Sequence, residues 1–152
     1  MTVKEWLNRG YRLEREIRRL SNERVKAYER IFERGGNDGE KVQTSKTNRT
    51  EELYARYLEY DEKLNKRIDE LYRVKAEILT AVDAVEDSLL REILIARYIN
   101  FQKWETIADM VGYDVRHVYR LHRRALDMTE KMIFDVGAET LGNSAAGKIM
   151  QK

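Results

Sequence analysis

Three arginines near the end of the sequence, Arg116, Arg120 and Arg123, recur at helical spacing. At about 100° per residue they lie within an arc of roughly 60° on a helix. Guanidinium groups form paired hydrogen bonds with phosphate oxygens and with the O6 and N7 atoms of guanine. Such a row is typical of a helix that contacts nucleic acid, but many solvated helix surfaces have the same composition. The neighbouring residues must decide between these two interpretations.

The residues around this row predict a helix-turn-helix. Ala108 supplies the small residue required where the two helices cross, and Gly112 tolerates the left-handed backbone of a tight turn. Asp114 is a good N-cap for the second helix. The full framework is Ile107, Ala108, Val111, Gly112, Asp114, Val118 and Leu121. Because these positions agree jointly, we expect a recognition helix that begins at Asp114 and presents the arginines to the major groove of DNA.

Six side chains are candidates for DNA contact on this helix. They are Arg116, His117, Tyr119, Arg120, Arg123 and Arg124. His117 and Arg124 lie about 80–100° from Arg116, whereas Val118 and Leu121 lie roughly opposite the arginine row. We expect His117 to be exposed and able to touch the DNA backbone. The sequence does not assign which arginine reads a base and which binds phosphate.

The remaining polar and aromatic residues predict no metal site and no catalytic site. His117 and His122 are five residues apart, so they cannot share one ligand face of a helix. We expect His122 to be packed at the edge of the apolar face, and Trp104 and Tyr113 to lie in the core or at a helix junction. The acids of 50–88 have no accompanying histidine, cysteine or glycine-rich loop. We therefore expect no enzymatic activity and no cofactor.

Composition sets the broader class. The chain contains no cysteine and no proline, and no apolar run at its start resembles a signal peptide. No segment is long enough to cross a bilayer, so we expect a cytoplasmic protein without a membrane partner. The net charge of +2 hides an asymmetry, because residues 1–34 hold 10 basic and 6 acidic side chains while residues 50–88 hold 6 and 11.

Apolar residues at three- and four-residue spacing predict an all-α protein. We predict five segments: an amphipathic helix over 1–34, a flexible loop over 35–49, a second long helix over 50–85, a helix-turn-helix over 86–131 and a disordered tail over 132–152. Thr50, followed by two glutamates, is the expected start of the second helix. The two long helices bury their stripes either as an antiparallel hairpin within one chain or by pairing between chains.

The segment from Leu89 to Leu126 resembles region 4 of sigma-70 factors. The matching stretches include Arg97-Tyr98-Ile99, Trp104-Glu105-Thr106-Ile107-Ala108 and Arg124-Ala125-Leu126. More of the chain, from about Lys4 to Leu126, resembles phage regulators of the ArpU/RinA type from phages of Gram-positive bacteria. That second resemblance includes Lys41-Val42-Gln43-Thr44-Ser45, for which we have no physical account.

The resemblance implies a regulator of phage late genes that binds promoter DNA inside the bacterial host cell. By that match Arg116, His117, Arg120 and Arg123 are the DNA-facing positions, and RNA polymerase and a second copy of the chain are further candidate partners. Two alternatives remain open. One is a small terminase subunit in DNA packaging, and the other is a protein-interaction module that contacts RNA polymerase.

Overall fold

The computed structural model describes the backbone of residues 1–33 and 43–149, and the side chains of 1–33 and 47–133. Within those ranges every regular element is helical, which confirms the all-α class. The helices are α1 (Val3–Leu7), α2 (Arg9–Phe32), α3 (Gln43–Asp83), α4 (Ser88–Leu94), α5 (Trp104–Val111) and α6 (Val115–Ile149), with a π-helical turn at Ile95–Ile99. None of the described helices is long and apolar enough to cross a membrane.

The chain divides into two compact units. One is the hairpin unit, Arg12–Arg73, and the other is the composite unit, which combines Met1–Tyr11 with Val74–Lys152.

The hairpin unit is an antiparallel pair formed by α2 and α3 within one chain. Glu16 pairs with Arg67 at 3.0 Å and Arg24 pairs with Asp61 at 2.7 Å. The later residue of α2 therefore pairs with the earlier residue of α3, as in an antiparallel pair. The buried side chains between the helices are Leu13, Leu20, Ala27, Leu64 and Leu71. Of the two pairing modes left open by the sequence, the structure therefore adopts the intrachain hairpin.

Two helix starts differ from the sequence prediction. The predicted helix over 1–34 is interrupted at Asn8, which lies between the end of α1 and the start of α2. The start predicted at Thr50 is also wrong, because α3 already begins at Gln43. Gln43–Arg49 contains no glycine or proline, and a capping preference of about 1 kcal/mol does not stop a helix that can continue. Residues 35–42 of the predicted loop, including Lys41 and Val42, lie outside the described residues.

The composite unit packs α1, α4 and α5 against α6. Thr2 and Glu5 form a capping box at the start of α1, and the Asp87 carboxylate accepts hydrogen bonds from the backbone N–H groups of Leu89 and Leu90 at the start of α4. Its fully buried side chains include Leu7, Ile78, Val82, Leu90, Ile93, Leu94, Ile107, Val118 and Ala125. This core fixes the orientation of α6 relative to α5.

The π-helical turn joins α4 to the loop before α5. Asn100 N–H donates to Ile95 O at 3.0 Å, the five-residue step that defines a π-turn, and Phe101 ends it with a φ of 55°. The Phe101 ring lies beside Gly10 and edge-on to the Tyr11 ring, and the centroids of the two rings are 5.8 Å apart. A positive φ is uncommon for a bulky residue, and at Phe101 it occurs together with these two contacts of the side chain.

Helix α6 is longer than the sequence pattern indicated. A helical unit over about 114–130 and a disordered tail over 132–152 were expected, but the backbone is helical as far as Ile149. Residues 132–149 hold no proline, and each glycine costs a helix only about 1 kcal/mol relative to alanine, so weak apolar periodicity was a poor indicator of the helix end. Residues 150–152 of the predicted tail lie outside the described residues.

Candidate nucleic-acid interface

The turn between α5 and α6 is built by its backbone. Gly112 adopts the left-handed conformation, with φ 77° and ψ 26°, and its N–H donates to Ala108 O at 3.0 Å. The Tyr113 N–H donates to the same oxygen at 3.2 Å. A residue with a Cβ is strained at this φ, which explains why glycine occupies the position.

Asp114 begins the second helix as an N-cap. Its carboxylate accepts a hydrogen bond from the His117 N–H at 2.7 Å, which satisfies one of the free donors of the first turn of α6. The helix itself runs from Val115, so the start lies where the sequence placed it.

The apolar framework joins α5 and α6 behind this turn. Ile107 and Val118 are fully buried, and Ala108 and Leu121 are nearly so. Val111 is only partly buried, so it contributes less to the contact. Ala125, one turn after Leu121, is also fully buried and extends the same face.

The opposite side of α6 carries the arginines. Arg116, Arg120, Arg123 and Arg124 are all exposed. Every ion pair among the described side chains lies elsewhere, so none of the four is neutralised by a neighbouring carboxylate. The row extends about 12 Å along the axis at 1.5 Å per residue. We call these four residues the α6 arginine face.

Acids limit the length of that face. Asp127 is exposed and lies one turn beyond Arg123 on the same side, and exposed Glu130 follows it. Both would repel a phosphate backbone. The positive part of α6 is therefore confined to its first three turns, 115–124, where the sequence holds four arginines and no acid.

Aromatic and cationic side chains cluster on the Trp104 ring. The exposed Tyr119 ring meets Trp104 edge-on, with the ring centroids 5.4 Å apart, and the Arg97 guanidinium stacks on the same Trp104 ring at 4.6 Å. Arg97 also donates to Gln102 O at 2.9 Å, which ties the loop before α5 to the π-helical turn. Trp104 thus lies at a helix junction, as predicted. Residue spacing in the sequence did not indicate that Arg97 would stack on it.

Two residues at the turn have predicted placements. Tyr113 lies in the turn between α5 and α6, which agrees with the prediction of a core or helix-junction residue, and its side chain is 47% exposed. Its ring lies 4.6 Å from the ring of His117, which is half-buried rather than fully exposed as predicted. Both residues lie beside the turn, so they contribute to the surface next to Arg116 and not to the core.

His122 is a buried structural residue, in the position that the sequence suggested. Its Nε2 shares a hydrogen bond of 2.6 Å with the Tyr98 hydroxyl, and its ring meets Trp104 at 4.5 Å. Burial, and then the positive charges of Lys4 and Arg97, lower the pKa of His122 to about 4. Burial raises the pKa of Tyr98 to about 12. Both groups are neutral at pH 7, so His122 does not add to the positive charge of α6.

The described side chains contain no cluster of three or more histidine, aspartate or glutamate residues that could hold a metal ion.

No curated protein and no solved structure matches the chain. One family matches residues 35–130, which is more than half of the sequence, and its description is a protein of unknown function. The matched segment contains α4, α5, the turn and the arginine-bearing start of α6, and the chain therefore belongs to the DUF1492 family.

Proposed function

We propose that the chain is a sequence-specific double-stranded DNA-binding protein that acts in transcription regulation. The observation that carries this proposal is the α6 arginine face, four exposed and unpaired guanidinium groups on the side of α6 opposite its buried framework. The α5–turn–α6 geometry supports the same function, because it is the arrangement that inserts a second helix into the major groove.

The dimensions and charge of the face suit this ligand. A major groove about 12 Å wide admits one helix, and the first turns of that helix reach the base edges. Arg116 and Arg120, and likewise Arg120 and Arg124, are four residues apart and repel each other by a few tenths of a kcal/mol. Phosphates and guanine edges would offset that repulsion, whereas the described part of the protein does not.

The finer assignment rests on resemblance. Similarity to sigma-70 region 4 and to phage regulators of the ArpU/RinA type supports a role at promoters, as an activator of phage late genes with RNA polymerase as a second partner. The chain would then work in the cytoplasm of the bacterial host.

Selection of binding sites from a random duplex pool tests the proposal, because it measures binding and specificity together. The selected duplex is then titrated with the parent chain and with Arg116→Ala, Arg120→Ala and Arg123→Ala. We expect at least one of these to weaken binding by about 1–3 kcal/mol, roughly 5- to 150-fold. The matched control is Arg56→Ala, an exposed arginine of α3 without a described ion-pair partner.

Two results would contradict the proposal. One is a failure to enrich any sequence, and the other is unchanged affinity in all three α6 variants. The selected site also reports the oligomeric state, since a dimer predicts inverted half-sites about one helical turn apart and a monomer predicts a single site.

A further inference from the structure

The hairpin unit has a second basic surface that its own fold does not use. Four arginines of α2, which we call the outer arginine row, are exposed: Arg12, Arg15, Arg19 and Arg30. At about 100° per residue they lie within roughly 60° of one another, and the buried Leu13 and Leu20 point about 80–100° away from Arg12. The row therefore lies outside the interface between α2 and α3.

The inner cations of the same hairpin behave differently. Arg24 pairs with Asp61, and Arg67 pairs with both Glu16 and Glu70. The hydrogen bond to Glu70 and the charge of Glu16 raise the pKa of Arg67 above its ordinary value. By contrast, no described ion pair includes a member of the outer row.

The two helices also differ in the balance of their exposed charge. Residues 12–32 of α2 expose six basic side chains and one acidic side chain, whereas residues 47–73 of α3 expose five of each. On α3 the charges alternate and form pairs such as Glu59–Lys63 and Glu62–Lys66, both at 3.2 Å. An ordinary solvated helix surface has this mixed pattern, so α3 serves as an internal reference for α2.

The outer row has a cost within the fold. Arg12 and Arg15 are three residues apart and Arg15 and Arg19 are four apart, so their like charges destabilise α2 by a few tenths of a kcal/mol per pair. Near Arg12, Arg15 and Arg19 the acids are engaged elsewhere, because Glu16 is turned toward Arg67 and Glu23 pairs with Lys26 at 3.5 Å. Only Arg30 has exposed acids beside it, Glu29 and Glu33. An external polyanion is the ligand that would neutralise this surface.

We propose that the outer arginine row of the hairpin is a second, sequence-independent contact for the phosphate backbone of duplex DNA. The row extends about 27 Å along α2, which is long enough to meet several phosphates, given one phosphate charge per about 1.7 Å of duplex. Arginine side chains form paired hydrogen bonds with phosphate oxygens. The arc of α2 that holds the four arginines contains one other basic residue, Lys26. The inference rests on the proposed function only in taking DNA as the ligand.

The test compares two triple variants of the full chain. Arg12→Gln, Arg15→Gln and Arg19→Gln together remove three charges from the outer row. Arg49→Gln, Arg56→Gln and Arg73→Gln together remove three exposed arginines from α3, which also have no described ion-pair partner. Circular dichroism and thermal unfolding check the fold of both, and the outer-row variant should be at least as stable as the parent because like-charge repulsion is removed.

The measurement is the dependence of affinity on salt for a 40-base-pair duplex of random sequence and for the selected duplex. Each phosphate contact contributes about 0.9 to the slope of log K against log salt. We expect the outer-row variant to lower that slope by about 2–3 on both duplexes, with the preference between duplexes unchanged, and the α3 variant to leave the slope unchanged.

The outcomes separate this inference from the proposed function. Equal slopes for the outer-row variant, the α3 variant and the parent would overturn the inference and would direct attention to an acidic protein partner. If the α6 variants had no effect but the outer-row variant lowered the slope, the proposed recognition helix would fail and the inference would stand. Absence of binding to both duplexes at low salt would overturn both.

Discussion

The composite unit and the hairpin unit position their arginines by different means. In the composite unit a left-handed glycine, an N-cap and fully buried side chains such as Ile107 and Val118 hold α6. In the hairpin unit the described contacts between α2 and α3 include ion pairs whose side chains are 33–42% exposed, and core positions such as Ile17 and Ile68 are only partly buried. Exposed ion pairs specify register but stabilise little. Backbone conformation and full burial therefore fix the geometry of the candidate interface, whereas the hairpin combines a short row of nearly buried side chains with exposed ion pairs.

Truncation of a core side chain should give the largest difference in unfolding free energy between the two units. Ile107→Ala removes a fully buried side chain of α5 and should lower the free energy of unfolding by about 2–5 kcal/mol. Ile17→Ala is the matched change at a partly buried position of α2, and its effect should be clearly smaller. Urea unfolding followed by circular dichroism measures both. Equal losses would mean that the hairpin is packed as tightly as the composite unit.

Acid should destabilise the composite unit through His122. Its pKa is about 4 in the folded protein and about 6.5 when unfolded, so the unfolded chain binds the proton more tightly. The contribution of neutral His122 to stability is therefore complete above pH 6.5 and is lost as the pH falls toward 4, by about 3 kcal/mol.

The measurement for His122 is unfolding free energy against pH for the parent, His122→Gln and Tyr98→Phe. Subtracting the His122→Gln profile removes the titration of surface carboxylates and should isolate the slope between pH 6.5 and 4. Tyr98→Phe loses the hydrogen bond but keeps the buried imidazole, so it should retain that slope. Parallel profiles for the parent and His122→Gln would show that the imidazole is not held neutral.

Replacing either of two glycines by alanine should change the stability of the fold, but in opposite directions. Gly112→Ala places a Cβ at a φ of 77° and should destabilise the turn by about 1–2 kcal/mol. Gly10 is helical, and a Cβ there would lie 3.5 Å from the Phe101 ring, an ordinary van der Waals distance, so Gly10→Ala should stabilise by up to about 1 kcal/mol. Thermal unfolding measures both, and a loss of stability in Gly10→Ala would show that the ring cannot accept the added methyl.

The smallest effect is expected for the ion pair that crosses the hairpin. Arg24 and Asp61 are about one-third exposed, so a double-mutant cycle with Arg24→Ala and Asp61→Ala should give a coupling of about 0.2–1 kcal/mol. High salt should reduce it further. A coupling above about 2 kcal/mol would contradict the view that such exposed ion pairs stabilise the hairpin little.

Sequence predicted the turn between α5 and α6 better than it predicted the helix ends, because the residues of the turn have narrow structural roles. Gly112 and Asp114 each fit one backbone state, so their types and spacing located the turn to the residue. Helix ends at Asn8, Gln43 and Ile149 were predicted poorly, since in the absence of proline the ends depend on small propensity differences.

Contacts between distant residues left little trace in residue spacing. Arg97 stacks on Trp104, and Tyr98 shares a hydrogen bond with His122. Both residues lie in the π-helical turn, whose extra residue changes the side-chain directions from those of a regular α-helix. The ion-pair partners across the hairpin depend on its register, which the apolar stripes alone do not determine. The outer arginine row was likewise visible only after the paired cations of α2 had been distinguished from the unpaired ones.

The most direct test of the central claim measures which bases the arginines of α6 read. The selected duplex and its single-base-pair variants are titrated with the parent chain, with the alanine variants at Arg116, Arg120 and Arg123, and with Arg56→Ala. For at least one α6 variant, the penalty of about 1–3 kcal/mol for replacing a particular base pair should vanish while penalties at other positions remain. Retention of the parent's base preferences at every position by all three α6 variants would contradict the assignment of α6 as the recognition helix.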